Sequence, residues 1–277
     1  MVFIFRNWDN FCSELAGSGM MSVPAREISR ESGKYIVLKH DVETNVARAY
    51  RMADIESRHG HRGSYYVQAY LMNSPGNIKM LRDMQRCGHE VSYHHDVMDS
   101  CKGNLAEAIS EFEKNRKVFE ANGFAVKTVC QHGNPVIERT GYTSNRDFFR
   151  SAQVRERYPE IADIMVDFKE KADTDYKYYS DAGWGFKLIY DPINDDRIDN
   201  SRRNAGFSDL DDLFLEIEKS EMGCFISTHP HRWASSAYSQ AARGVAFRAV
   251  KEIARAAMKI PAANKIMSRY YYLAKKI

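Results

Sequence analysis

The feature that most constrains this chain is a recurring unit. A short apolar, β-branched or aromatic run leads directly into a cluster of histidines and acids, and a segment with helical spacing follows. Tyr35-Ile36-Val37-Leu38 leads into Lys39-His40-Asp41-Val42-Glu43, and Asn45 to His59 then carries apolar residues at helical intervals up to Gly60. Gly63 to Gln68 reads as the next strand, Ile78 to Arg86 as a helix, and Glu90 to Tyr93 as a strand that runs into His94-His95-Asp96. Asn104 to Ala121 has helical spacing, and Ala125 to Val129 is a strand before Cys130-Gln131-His132-Gly133-Asn134-Pro135. Ile161 to Asp167 reads as a strand, Leu210 to Lys219 as a helix, and Cys224 to Ser227 as the last strand, before Thr228-His229-Pro230-His231. Strands alternating with helices specify βαβ units around a parallel sheet. The ends of such strands can converge on one rim of a barrel, where side chains distant in sequence meet.

A single α/β barrel commonly needs about 250 residues, which suits a chain of 277 with 44% hydrophobic residues. The expected organisation is a barrel domain over residues 1–240 and a basic helical extension over 241–277. The extension carries +8 of a net charge of +3, which leaves the body at −5. Its apolar face, from Gln240 to Ile260, is expected either to dock on the barrel or to contact an anionic membrane surface or glycan peripherally. Nucleic acid is not an expected partner, because the body is acidic and no base-reading motif is present. No run approaches the roughly 20 apolar residues of a membrane span, and MVFIFRNWDNF is too short an apolar stretch for a secretory signal. Five cysteines without a CxxC pair fit free thiols in a reducing compartment, so a cytoplasmic location is expected.

Seven of the nine histidines lie in the four segments Lys39–Glu43, Gly88–Asp96, Cys130–Pro135 and Ser227–His231. Asp41 and Glu43, two apart, share a side if extended geometry persists. Such a pair can divide labour, one carboxylate ligating a metal and the other taking a proton from water, or it can simply favour the start of the next helix. His94-His95-Asp96 is costly to bury without partners, and an imidazole with a carboxylate suits zinc or a similar divalent ion. His132 precedes a turn forced by Gly133 and Pro135, and reads equally as a ligand or as an exposed turn residue. His229 can protonate a leaving group, because imidazole titrates near neutrality. Asp96, Asn134, Asp181 and Trp184 are expected to contact substrate, Trp184 as a shelf for a sugar ring, although Ser180 to Phe186 taken alone reads as an ordinary turn. His40 and His89 are expected to orient carboxylates or backbone, and His59 and His61 to be solvated.

In this order the segments resemble the polysaccharide deacetylase family of carbohydrate esterases, from about Tyr35 to Trp233. The most specific match is Gly88-His89-Glu90-Val91-Ser92-Tyr93-His94. The resemblance implies a distorted, incomplete (β/α) barrel with a helical C-terminal extension. It implies hydrolysis of an acetyl group on a sugar or glycan with a divalent metal, zinc by preference, in surface-polysaccharide biosynthesis. Asp41 would be the general base, Glu43 and His94 metal ligands, and His229 the general acid. Two departures stand out. Met98 occupies the place of the family's second histidine, and Cys130 to Pro135 replaces its arginine-bearing third motif. His132, or alternatively Asp96, is expected to supply the third ligand. Two other readings are a carbohydrate-binding or scaffold protein with a decayed metal site, and a hydrolase of small linear or cyclic amides.

Overall fold

The computed structural model describes residues 3–28, 34–133, 137, 139–170, 176–181, 187–190 and 206–241. Its first helix, α1 (Phe5–Gly17), buries Phe5, Trp8, Phe11, Cys12 and Leu15, a stripe at the three- and four-residue spacing that one helical face requires. Strand β1 (Ile36–Val42) and helix α2 (Val46–Arg58) follow, with the Asn45 side chain accepting the Arg48 N–H at the helix start. Next come β2 (Ser64–Val67) and α3 (Pro75–Arg86), which is capped by Ser74 and has proline in its first turn. Strand β3 (Glu90–His95) leads into the single turn α4 (Val97–Ser100), and then the long α5 (Leu105–Ala121) is capped by Asn104. After β4 (Thr128–Gln131) come α6 (Asp147–Arg150), α7 (Ala152–Arg157), the two-residue β5 (Ala162–Asp163) and α8 (Asp167–Glu170). The chain continues through β6 (Tyr176–Ser180), β7 (Lys187–Tyr190), α9 (Leu210–Lys219) and β8 (Gly223–Thr228).

The strands form one sheet in the order β5-β4-β3-β2-β1-β8-β6-β7. Every neighbouring pair is parallel except β6 with β7. Among the described residues no pairing joins β5 to β7, so the sheet is an incomplete (β/α) barrel, as expected. The 242–277 part of the expected helical extension lies outside the described residues. No described helix is long and apolar enough to cross a membrane.

Side-chain alternation gives the sheet two distinct faces. Val37, Tyr66, Cys130, Tyr176, Tyr178 and Phe225 pack together on one face. Ile36 and Leu38 pack under α1 and α9, and Val42, Tyr65, Val67, Val91 and Tyr93 pack with α2, α3 and α5. A buried carboxylate joins this helix-covered side. Glu56 of α2 accepts hydrogen bonds from Trp8 Nε1 at 3.0 Å and Tyr65 Oη at 2.7 Å, and lies 2.8 Å from His40 Nε2. His40 Nδ1 in turn sits 2.6 Å from Thr228 Oγ1. His89 Nδ1 accepts the Gly63 N–H at 2.9 Å. His40 and His89 thus serve the framework, as expected.

Three local expectations need correction. Ile161 to Asp167 is not one strand: the Asp163 carboxylate accepts the Met165 and Val166 N–H groups at 2.8 and 3.1 Å and turns the chain after two paired residues. The long, polar, turn-rich stretches 131–150 and 169–203 read from the sequence as loops of the kind that line active sites, yet they contain α6, β6 and β7. His61 is not solvated; it is 1% exposed, its Nδ1 accepting the Ser22 N–H and its Nε2 2.8 Å from the Cys12 carbonyl oxygen. Its Gly60–Arg62 turn is covered by α1, which no strand–helix alternation indicates.

Candidate metal and acid–base site

Because the paired strands are parallel, the C-terminal ends of β1, β3, β4, β6 and β8 lie on one rim. Each delivers its polar residue there. Lys39 and Asp41 point from β1 to the same side, and Glu43 follows just past its end. His94 lies opposite Cys130 in the β3–β4 pairing, and His132 directly follows β4. Asp181 follows β6 and His229 follows β8.

Glu43, His94 and His132 each offer a ligand atom within 4.8 Å of the other two. His132 Nε2 is 3.1 Å from Glu43 Oε1, and the His94 and His132 rings meet edge to face at 5.3 Å. The tautomer of His94 follows from its surroundings. Its Nδ1 lies 3.0 Å from the Cys130 carbonyl oxygen, which can only accept, so Nδ1 carries the proton. The lone pair is then on Nε2, a buried atom with no hydrogen-bond partner. Burial pushes the imidazole down to about 3, against the attraction of Asp41, so it stays neutral. A neutral histidine fixed through one nitrogen, with the other bare and buried, is how proteins prepare a metal ligand. Glu43 is held well below the usual carboxylate range: burial opposes its charge, but the hydrogen bond from His132 and the nearby His229, His132 and His231 outweigh it. Two imidazoles and a carboxylate fit a divalent ion such as zinc. A second overlapping set, Asp41, His94 and Cys130, meets the same distance criterion. Burial, however, pushes the Cys130 thiol well up, leaving it protonated as a small packing group.

Asp41 is held by a residue to which sequence reasoning assigned no role. Lys39, 1% exposed, places Nζ 2.6 Å from Asp41 Oδ2, 2.9 Å from Tyr178 Oη and 3.2 Å from Ser227 Oγ. Burial disfavours both charges, yet Asp41 raises Lys39, and Lys39 with His94 and His229 lowers Asp41, so the pair stays ionised. With Oδ2 engaged, Asp41 Oδ1 is left buried with no hydrogen-bond partner. A lysine two positions before the aspartate, on the same side of a fully buried strand, was the available signal.

His229 completes the rim. Its Nδ1 is 2.5 Å from Asp181 Oδ1, and its backbone N–H donates to Asp181 Oδ2 at 2.9 Å. Arg232 and Trp233 also donate to Asp181, at 3.2 and 3.3 Å. Burial works against the Asp181 charge, but His229 and Arg232 bring it down to about 2. Nδ1 therefore bears a proton shared with a carboxylate, and Nε2 looks into the site, 3.8 Å from both Asp41 Oδ2 and Glu43 Oε1. His231 Nδ1 approaches the other Glu43 oxygen at 3.8 Å, its ring pushed down by burial to about 4.

The expected substrate-contacting residues divide. Asp181 has no exposed surface and faces four donors, so its place is behind His229 and not against a ligand. Asp96 sits where β3 ends and α4 begins, its ψ of 31° taking the following chain out of the strand and into α4. It is half-buried and belongs to neither ligand set. Asn134 and Trp184 lie outside the described residues. Met98 is 5% exposed within the core beside α5, so α4 presents no imidazole to the site.

No family model matches this chain, and no curated protein does. Among solved structures it is similar to a mutant form of the peptidoglycan deacetylase PdaC from Bacillus subtilis, at 13% identity and a TM-score of 0.34, over 82% of this chain and 98% of that one. A superposition at that level transfers neither an activity nor the role of any residue.

Proposed function

We propose that this protein is a metal-dependent hydrolase that removes an acyl group, acetyl in the first instance, from a sugar or glycan. The observation that carries this reading is one rim on which a candidate ligand set and a set of acid–base groups stand side by side. Glu43, His94 and His132 form a ligand set with a bare buried nitrogen, and Asp41 and the His229–Asp181 pair flank it as base and acid. A divalent ion, zinc by preference, would supply positive charge to polarise the acyl carbonyl and to ease the ionisation of water. Asp41, kept ionised by Lys39, takes the proton from water at Oδ1. His229, oriented through Nδ1 by Asp181, gives a proton from Nε2 to the leaving nitrogen or oxygen, a role worth roughly 10²–10⁴-fold for a well-placed group.

The sugar and a place in surface-polysaccharide biosynthesis come from the ordered resemblance to polysaccharide deacetylases; a cytoplasmic location comes from the cysteine usage, and peripheral membrane contact from the basic, apolar-faced residues 241–277. Asp96, Asn134 and Trp184 would meet the substrate. The test is metal analysis of protein purified without chelator, paired with acetate release from N- and O-acetylated glycans. Roughly one equivalent of zinc per chain, as a single three-ligand site takes, together with metal-dependent acetate release supports the enzyme. Glycan binding with neither metal nor release would instead establish a carbohydrate-binding protein, and release from small amides alone would redirect the substrate class.

A further inference from the structure

The third ligand, His132, stands on a connection and not within a strand, so something other than the sheet has to fix it. The structure points to Asn145, thirteen residues further on and fully buried. Its Nδ2 donates to the His132 carbonyl oxygen at 2.8 Å and to Asp99 Oδ2 at 2.8 Å, and its Oδ1 accepts the Asp99 backbone N–H at 2.9 Å. The amide is therefore used at both ends. Asp99 lies in the first turn of α4, whose N-cap residue, Asp96, makes no side-chain cap. Asn145 thus satisfies a helix N–H that is otherwise open and ties that helix to the β4 connection. Asp99 is itself gripped by Arg139 through two bonds, at 2.8 and 2.9 Å, and by Tyr142 Oη at 3.1 Å. On its other side His132 donates its backbone N–H to the His95 carbonyl oxygen at 2.7 Å. The backbone of His132 is therefore clamped on both sides, and its imidazole reaches Glu43 from a fixed base.

We propose that Asn145, anchored on Asp99, is the positioning residue that presents His132 to a divalent metal ion. In this chain α4 contributes a clamp for a ligand on the next connection, and Met98 in the same turn packs into the core. This inference rests on the metal-site reading above. Outer-shell partners of metal ligands typically contribute 10–100-fold in metal affinity.

The test is titration of the full chain with Co(II), followed by its d–d absorption, with Zn(II) competition and thermal unfolding on the same samples. Asn145→Ala is expected to weaken Co(II) binding by about 10–100-fold and to alter the absorption band. Asp99→Asn can still accept from Asn145 but loses its ion pair with Arg139. It is expected to lower the melting temperature while holding Co(II) within a few-fold of the parent. Asn145→Ser, whose hydroxyl is too short to bridge Asp99 and the His132 carbonyl, gives the same readout should the alanine variant not fold. Unchanged Co(II) binding in both Asn145 variants, with loss in His132→Ala, overturns this proposal and leaves the metal site standing. Equal weakening by Asp99→Asn and Asn145→Ala also overturns it, because the effect would then be general loosening. A parent protein that binds no metal, or a His132→Ala variant that binds it fully, removes the metal-site reading and this inference together.

Discussion

Lys39 Nζ lies 2.6 Å from Asp41 Oδ2 inside the barrel, the two residues standing side by side on one face of the same strand. Neither charge has water to fall back on. Removing only the ammonium, by Lys39→Met, leaves a buried carboxylate uncompensated and is expected to cost about 3–5 kcal/mol of stability. Removing both, by Lys39→Met with Asp41→Leu, is expected to recover most of that loss. Urea unfolding of the two variants checks this, and a double variant no more stable than the single one would rule out the charge argument.

Asp181 makes stability depend on pH. Its folded pKa, about 2, is below the ordinary aspartate value near 3.9, so the folded state favours the ionised form. The contribution is complete above the unfolded value and is lost as pH falls from about 4 towards 2. The full contribution is about 2.6 kcal/mol. The stability gap between the parent and Asp181→Asn is expected to shrink by about 2 kcal/mol between pH 6 and pH 2.5, most of the full contribution, since pH 2.5 is still above the folded pKa. A gap that stays constant over this range would show that the buried carboxylate is not held down by His229 and Arg232.

The base and the ligand are separable by substitution. Asp41→Asn is expected to retain metal and substrate binding while lowering kcat by about 10²–10⁴-fold. His94→Ala is expected to lose the metal and, with it, activity at any substrate concentration. Metal content and steady-state kinetics on the same preparations decide this. Loss of metal from Asp41→Asn would make Asp41 a ligand and contradict its place as base.

Gly88, the first residue of the segment most like the deacetylase motif, has φ +92°. Its part is conformational, letting the chain turn from α3 into β3 so that His89 enters the framework and His94 reaches the rim. An added Cβ would also sit 2.7 Å from Arg62 Cδ, a flexible side chain that can move. Gly88→Ala is expected to cost roughly 1–2 kcal/mol through backbone strain alone. A melting temperature equal to the parent's would refute that account.

Much of this was legible before any coordinates. The strand–helix alternation specified a parallel α/β sheet, the resemblance implied that its barrel is incomplete, helical spacing from Asn45 and Asn104 marked two helix starts, and strand-end placement put Asp41, His94, His132 and His229 on one rim; α3 instead starts at Pro75, before the expected Ile78. Other parts were hidden for identifiable reasons. The β5 region stopped short because Asp163 and Asp167 capture backbone N–H groups, a contest between side chain and sheet that hydropathy does not register. Helix α1 buries residues whose partners, Trp233 among them, lie more than two hundred positions away.

By itself the sequence determined periodicity, turn positions and which residue types stand at strand ends, because these depend on neighbours within a few positions. Only the tertiary structure decided what those residues face. It put Lys39 against Asp41, set Asp181 behind His229 and placed Asn145 under His132. Those outcomes depend on the curvature of the sheet and the paths of the connections, which are fixed by contacts between segments far apart in the chain and leave no local pattern to read.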